Sequence, residues 1–179
     1  MRYDPDKHHR RSIRLPHYDY SQPGAYFVTI CTKNHECILG DIVDGEMRLK
    51  EFGSLADECW RQTINHFPNV KSDVWVIMPN HMHCIVDMVD PDRRGGVTPP
   101  CGRPSAETTP LLGRVLAYFK YQTTKRINEL RGTPGAPFWQ RNYYERVIRD
   151  ENELGHIRQY IENNPLNWDS DADNPANIA

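Results

Sequence analysis

The sequence of 179 residues lacks a long apolar segment, a paired cysteine motif and a leader of secretory type. All of its apolar runs are shorter than the roughly 18 residues that a membrane helix needs, so we expect no transmembrane span and no membrane partner. The first 16 residues are basic but contain no apolar core, and we expect no secretory signal there. With 38% hydrophobic and 26% charged residues, the chain is predicted to be globular and long enough for one domain.

The five cysteines are an odd number, and none of them forms a C-x-x-C pair. This usage argues against a disulfide framework and a zinc knuckle, and it is typical of the reducing cytosol. We therefore predict a cytoplasmic protein whose cysteines pack as small apolar residues. His35, His66 and His156 have no partner at a ligand spacing along the chain, so the sequence predicts no metal site at these three positions.

The net charge of −2 lacks the basic excess that is common in nucleic-acid-binding proteins, but the basic residues are clustered. Residues 111–149 contain eight Lys or Arg and two acidic residues, whereas residues 150–179 contain seven acidic residues and one Arg. Because salt screens charges beyond about 8–10 Å, a phosphate backbone responds to local basic density. The pattern permits DNA binding, although a solvated charged surface explains it equally well.

Hydrophobic patterning predicts an alternation of strands and helices. Runs of β-branched and aromatic residues predict strands at 25–32, 74–78, 81–89 and 143–148. Apolar residues at helical spacing predict helices at 51–66, 112–130 and 150–163. A short hairpin is expected around Asp44-Gly45. This order predicts a single α+β domain of ferredoxin-like type, with an antiparallel sheet and helices packed on one face.

Three segments lie outside this pattern. Residues 1–24 form a basic N-terminal arm that ends in a Gln-Pro-Gly turn signal. Residues 91–110 are rich in Pro, Gly and Thr and predict a flexible loop. Residues 167–179 predict an acidic, disordered tail. The predicted folded domain is therefore 25–166.

The sharpest local feature is His81-Met82-His83 on a predicted strand. Residues i and i+2 of a strand point to the same face, so the two imidazoles lie side by side and can begin a divalent metal site. The motif is weak alone, because eight histidines produce it readily by chance, and two half-exposed sheet histidines are the simpler reading. Two ligands are also too few, so a third must come from elsewhere.

The last predicted helix carries Tyr160 and Asn164 at a spacing of i, i+4, which places them on one surface. Tyr160 lies at the edge of the apolar stripe, where its hydroxyl can face a cleft. An ordinary boundary tyrosine has the same pattern, and Asn164 before Pro165 equally fits a helix C-cap. The residues alone leave both alternatives open.

Three runs in order, VWVIMPNHMHCIV, FWQRNYYERVIRDENEL and IRQYIENNP, resemble the single-tyrosine HUH transposases of insertion-sequence type. Within that family the chain looks closest to the REP-associated tyrosine transposases, over about residues 25–166. The resemblance implies that His81 and His83 bind a catalytic Mg²⁺ or Mn²⁺, and that Tyr160 is the nucleophile. It places the third metal ligand at Asn164, where the insertion-sequence enzymes have Gln.

The resemblance further implies cleavage and transfer of single-stranded DNA, or of the foot of a DNA hairpin, through a 5′-phosphotyrosine intermediate. Basic residues would then follow the DNA backbone. The candidates are Arg114, Lys120, Lys125, Arg126, Arg141, Arg11 and Arg14. Relatives of insertion-sequence type exchange the tyrosine helix between two subunits, whereas monomers occur in the REP-associated branch, so a homodimer stays open.

Two other functions are compatible with the same residues. A non-cleaving protein of the same fold would bind hairpin DNA tightly without forming a covalent adduct. A hydrolase or zinc protein would use H-x-H for unrelated chemistry, with stoichiometric zinc and no preference for single strands. Because His81, His83, Tyr160 and Asn164 are all present, nothing in the sequence indicates an inactive protein.

Overall fold

The computed structural model describes residues 23–89 and 112–177. Its strands are β1 (Gly24–Cys31), β2 (Gly40–Val43), β3 (Glu46–Leu49), β4 (Val70–Ile77), β5 (His81–Met88) and β6 (Tyr144–Ile148). Its α-helices are α1 (Glu51–His66), α2 (Leu112–Arg131) and α3 (Glu151–Asn163). Among these described helices, none combines the length and apolarity that a membrane crossing requires.

The four long strands form one antiparallel sheet in the order β4-β5-β1-β6. Strand β5 lies between β1 and β4, and α1 connects β1 to β4 across it, as in the split βαβ unit of ferredoxin-like folds. The predicted α+β fold with an antiparallel sheet is thereby confirmed. The β2–β3 hairpin turns at Asp44 and Gly45, which both have positive φ, as the Asp-Gly signal predicted.

The first face of the sheet packs against α1 and α2. Alternate residues of β1 and β5, including Val28 and Cys84, are fully buried there. Trp60 from α1 and Phe119 from α2 meet edge to face with ring centroids 5.4 Å apart. This face carries the larger of the two cores, which fixes the position of the central strands β1 and β5.

The second face packs against α3, so the prediction that all helices lie on one face was wrong in this detail. Phe27 and Ile85 form a smaller core with Ile161, Leu154 and Ile157 of α3. An apolar stripe shows that a helix has a buried side, but it does not specify which face of a sheet the stripe covers. The placement matters because His81 and His83 belong to this same second face.

The C-terminal segment was also predicted wrongly as disordered over its described part. It forms two 3-10 helices, Pro165–Ser170 and Pro175–Asn177, and its polar residues are built into the structure. Asp171 and Asn174 are more than nine-tenths buried, and Asn174 donates to the carbonyl of Trp168. Polar side chains that bond to the segment's own backbone can order a chain that lacks an apolar stripe. The predicted loop at 91–110 and almost all of the predicted arm at 1–24 lie outside the described residues.

Candidate functional site

His81 and His83 start β5, one of the two central strands, and both point toward α3. They are 0% and 2% exposed, so they are not the half-exposed sheet histidines of the simpler reading. Their Nε2 atoms are 3.0 Å apart. Neighbouring strands fix both backbones, because His81 pairs with Cys31 and His83 pairs with Thr29 and Val76.

Hydrogen bonds at the outer nitrogens orient the two rings. The Asn80 side-chain amide donates to the carbonyls of His35 and Asp173, so its Oδ1 accepts from Nδ1 of His81 at 2.8 Å. This arrangement leaves Nε2 of His81 with a free lone pair. Nδ1 of His83 lies 2.8 Å from the Thr29 hydroxyl, which can donate or accept, so His83 can also present a lone pair at Nε2.

Both imidazoles favour the neutral form that binds metals. Burial lowers the pKa of His81, and the nearby carboxylates of Asp173 and Asp171 oppose this effect only in part. Burial lowers the pKa of His83 well below its ordinary value, and the neighbouring ring of His81 lowers it further. Two neutral rings with convergent nitrogens can bind a cation without first releasing protons.

Tyr160 lies on α3 at the entrance to this histidine pair. Its hydroxyl is 3.3 Å from Nε2 of His83, while the side chain as a whole remains 48% exposed. Phe27 contacts both aromatic neighbours, with ring centroids 5.3 Å from His83 and 5.9 Å from Tyr160. Burial of the hydroxyl end and the charge of Asp171 raise the pKa of Tyr160, so the phenol keeps its proton in this arrangement.

Asn164 follows α3 and points into the same site, where it meets a residue that sequence reasoning missed. Its Nδ2 donates to Oδ2 of Asp171 at 3.1 Å. Its Oδ1 is buried and has no hydrogen-bond partner among the described residues. A buried acceptor without a partner is costly, which makes this oxygen a candidate ligand. Asn164 is also the C-cap of α3, as the alternative reading of the sequence predicted.

The donor set fits a hard divalent cation. Ligand atoms of His81, His83 and Asp171 lie within 4.8 Å of one another, and the unpartnered oxygen belongs to the neighbouring Asn164. Adjacent ligands of an octahedral ion at about 2.1 Å are about 3.0 Å apart. The observed separation of 3.0 Å between the two Nε2 atoms agrees with that geometry. Amide and carboxylate oxygens suit Mn²⁺ or Mg²⁺, and imidazole binds a wider range of divalent ions, so the ligand set accepts a hard divalent cation without selecting one ion.

A cleft of about 780 Å³ opens over His83 and Tyr160. Its walls come from β1, from α3 and from the segment 140–144 before and within β6. Two exposed residues of the wall, Arg146 and His156, are of the kind that contacts phosphate, and Arg146 is also ion-paired with Glu153 of α3. The cleft therefore places the exposed phenol of Tyr160 and two polar side chains beside the buried His83, while His81 lies behind it.

Some of the basic residues predicted for DNA binding are exposed, whereas others already contact groups of the protein itself. Arg114, Lys125 and Arg141 are exposed, and the last two line a neighbouring groove of about 600 Å³. Arg126 pairs with Glu58 of α1 at 2.9 Å. Arg11 and Arg14 lie outside the described residues.

Lys120 has contacts that differ from those of a backbone-tracking residue. Its Nζ donates to the carbonyls of Gln140 at 2.8 Å and Asn142 at 2.9 Å. Burial lowers its pKa to about 8. These bonds fix the segment 140–142, which lines both the cleft and the neighbouring groove. Lys120 therefore has a structural role in this arrangement.

Sequence reasoning missed Asn80, Asp171 and Arg146. Asn80 directly precedes the histidine motif, and its position in the turn before β5 is the sequence feature that could have identified it as part of the site. Arg146 could have been identified from strand alternation, which places its side chain on the same face of the sheet as Phe27. Asp171 had no signal, because an acidic residue in a polar tail normally faces solvent.

Comparisons with known proteins identify relatives of this chain by sequence and by fold. No protein-family model matches the sequence. The chain is 39% identical over 174 residues to an uncharacterised protein of Haemophilus influenzae, covering 95% of this chain and 96% of that protein. It is 25% identical over 157 residues to a second protein of that organism, provisionally described as a REP-associated tyrosine transposase, covering 83% of this chain and 73% of the relative.

A solved structure of a REP-associated tyrosine transposase bound to a REP hairpin superposes with a TM-score of 0.57, at 19% identity. The match covers 86% of this chain and 73% of that structure, and it supports the common fold. The second relative is described as a protein of the kind that the ordered motifs resemble, and the solved structure shares the fold, so this chain is similar to the REP-associated tyrosine transposases in sequence motifs and in fold.

Proposed function

We propose that this chain is a REP-associated tyrosine transposase that cleaves and rejoins single-stranded DNA, with Tyr160 as the nucleophile and with His81, His83 and Asn164 as ligands of a divalent metal. The observation that carries the proposal is the 3.3 Å separation between the Tyr160 hydroxyl and Nε2 of His83. The exposed ring of Tyr160 and the open cleft beside it make the phenol accessible to a phosphodiester.

In the proposed step, the Tyr160 oxygen attacks the scissile phosphorus and loses its proton, and the bond from phosphorus to the 3′ oxygen breaks. The products are a 5′-phosphotyrosine link and a free 3′-OH. A phenol with a raised pKa is a weak nucleophile at neutral pH and needs activation. A bound Mg²⁺ or Mn²⁺ would polarise the phosphate and offset the charge that develops on its oxygens.

The protein's own residues contribute position and charge. Phe27 and the α3 core fix the ring of Tyr160 against β1. Asn80 and Thr29 orient the histidines, and Asp171 lies close enough to supply a further oxygen. Because a second 3′-OH can reverse the attack, rejoining requires no external energy source.

Single-stranded or hairpin DNA is the proposed partner. The solved relative is bound to a REP hairpin, and the cleft of this chain offers exposed Arg146, with Lys125 and Arg141 on the adjoining groove. Tyr160 and His83 belong to the same chain, so the proposed site does not require a helix from a second copy. We place the catalytic unit at residues 25–177 rather than 25–166, because Asp171 belongs to the site.

The proposal is tested by incubating the protein and Mn²⁺ with labelled single-stranded DNA from the flanks of its own gene. We expect a covalent adduct that Tyr160→Phe abolishes. Tyr144→Phe is the matched control, because Tyr144 is 41% exposed and lines the same cleft. Tight binding without an adduct across all flanks would favour the non-cleaving hairpin binder, and binding of zinc without preference for single strands would favour unrelated chemistry.

A further inference from the structure

A second group of potential metal ligands lies beside the histidine pair but does not include it. Cys31 ends β1, His35 lies in the following 3-10 turn, and Asp173 belongs to the C-terminal segment. Oδ1 of Asp173 is 3.8 Å from Sγ of Cys31 and 3.6 Å from Nδ1 of His35. All three ligand atoms lie within 4.8 Å of one another, although 142 residues separate Cys31 from Asp173.

We propose that Cys31, His35 and Asp173 bind a zinc-type divalent cation. One sulfur, one imidazole nitrogen and one carboxylate oxygen form a borderline-soft ligand set, which selects Zn²⁺ or Co²⁺ over Mg²⁺. In a tetrahedral zinc site, such ligand atoms are about 3.3–3.6 Å apart. The two observed distances to Oδ1 of Asp173 are slightly longer, and a contraction of a few tenths of an ångström would bring Asp173 within tetrahedral range of both other ligands.

The environment of His35 supports the proposal. Its Nδ1 is buried and has no hydrogen-bond partner in the described part of the chain, and Oδ1 of Asp173 lies 3.6 Å away, just beyond hydrogen-bond distance. Asn34 and His35 both have positive φ, and in this turn the His35 ligand atom lies within 4.8 Å of those of Cys31 and Asp173. An ion between these groups would supply the partner that the nitrogen lacks.

The site is accessible from the cleft, because Cys31, His35 and Asp173 all line it and none of them is fully buried. A fourth position is thus available for water. Burial and the charge of Asp173 raise the pKa of Cys31 to about 12, so the metal-free side chain is a thiol. Binding would exchange the S–H bond for an S–metal bond and release one proton to solvent.

An ion at this site would also stiffen the neighbouring histidine site. The Asp173 amide donates to Oδ1 of Asp171 at 2.7 Å, and the Asp173 carbonyl accepts from Asn80 at 2.7 Å. An ion that fixes Asp173 to β1 therefore restrains both Asp171 and the residue that orients His81. The inference is independent of DNA cleavage, because it depends only on these three ligands.

The test uses Co²⁺ alone as the probe, with full-length, reduced, chelator-treated protein. A Co²⁺–thiolate bond produces a near-ultraviolet charge-transfer band, and we expect this band in the wild type. Cys31→Ser should abolish it, whereas Cys37→Ser, which removes an exposed cysteine nearby, should not. The double variant His81→Gln/His83→Gln removes the other proposed site and should keep the band. Competition with Zn²⁺ should displace the cobalt.

His35→Asn is the second variant, because asparagine tolerates the positive φ at this position while removing the imidazole. We expect it to weaken Co²⁺ binding by at least about 100-fold, beyond the effect of losing an outer-shell contact. A wild type without the band, a band that survives Cys31→Ser, or unchanged affinity in folded His35→Asn would each overturn the proposal.

Discussion

The hydroxyl of Tyr160 lies 3.3 Å from Nε2 of His83, although 77 residues separate them in the chain. The sheet and α3 produce this proximity together, because β5 directs His83 to the second face and the α3 apolar stripe packs onto that same face. The proposed chemistry depends on this proximity of a phenol to two imidazoles whose Nε2 atoms converge.

Asn80→Ala is expected to weaken Mn²⁺ binding by roughly 10–100-fold, the usual effect of losing a residue that orients a metal-binding histidine. Asn80 Oδ1 holds Nδ1 of His81, so its loss frees the ring to rotate. Isothermal titration with Mn²⁺ measures the change. The exposed Asn163→Ala at the end of α3 is the control and should bind as the wild type does. Equal affinities for wild type and Asn80→Ala would contradict the orienting role.

Asp171→Asn should have two separable effects. We expect weaker Mn²⁺ binding, because a carboxylate near the imidazole pair becomes neutral. We also expect a lower pKa for Tyr160, since the charge of Asp171 contributes to raising it. Spectrophotometric titration of tyrosinate, taken as the difference from the same protein with Tyr160→Phe, measures the pKa. If the pKa of Tyr160 is the same in the wild type and in Asp171→Asn, the charge of Asp171 does not act on the phenol.

The stability of chelator-treated protein should fall in mild acid. The native pKa values of His81 and His83 are lowered, so below about pH 6.5 the unfolded chain binds more protons than the native chain. Stability is therefore retained above that pH and lost as the pH falls through it toward the native values. The loss is at most about 1.4 kcal/mol per pH unit for each histidine.

Urea unfolding at several pH values checks this dependence. The His81→Gln/His83→Gln variant keeps all other titrating groups and should give a flatter curve between about pH 7 and 5. A wild-type curve that is no steeper than the curve of this variant would show that the pair is not responsible.

Two lysines on α2 should respond differently to substitution. Lys120→Ala removes charged hydrogen bonds to the carbonyls of Gln140 and Asn142 and should cost about 2 kcal/mol of unfolding free energy. Lys125→Ala changes an exposed side chain and should leave stability within about 0.5 kcal/mol. Thermal and urea unfolding give both values.

The two variants should rank in the opposite order when DNA affinity is measured: Lys125→Ala should weaken binding more than Lys120→Ala does. If Lys125 contacts a phosphate, its loss should reduce the slope of log K against log salt by about 1. A slope that is identical in wild type and Lys125→Ala would remove Lys125 from the interface.

Local patterning predicted most of the fold. The helix at 51–66 agrees with α1, and the start of β5 at His81 follows directly after Pro79-Asn80. These features depend on periodicity and turn residues, which are visible in a single sequence. The side of the sheet that α3 covers depends on tertiary packing, and no local pattern encodes it.

The site was predictable where neighbours in sequence are neighbours in space. The pairs His81/His83 and Tyr160/Asn164 follow from strand and helix geometry, and the family resemblance supplied their roles. Asp171 and the group of Cys31, His35 and Asp173 could not be found in this way, because they assemble only when the C-terminal segment folds back over β1. The bonds of Lys120 to backbone carbonyls are equally invisible in charge patterning.

The most direct test of the account is the chemical identity of the covalent link. After reaction with labelled single-stranded DNA and Mn²⁺, the adduct is digested with a protease and a nuclease, and the modified peptide is sequenced by mass spectrometry. We predict a 5′-phosphate ester on the oxygen of Tyr160 and a free 3′-OH on the released strand. A link to another residue such as Tyr144, or a 3′-phosphate link, would contradict it.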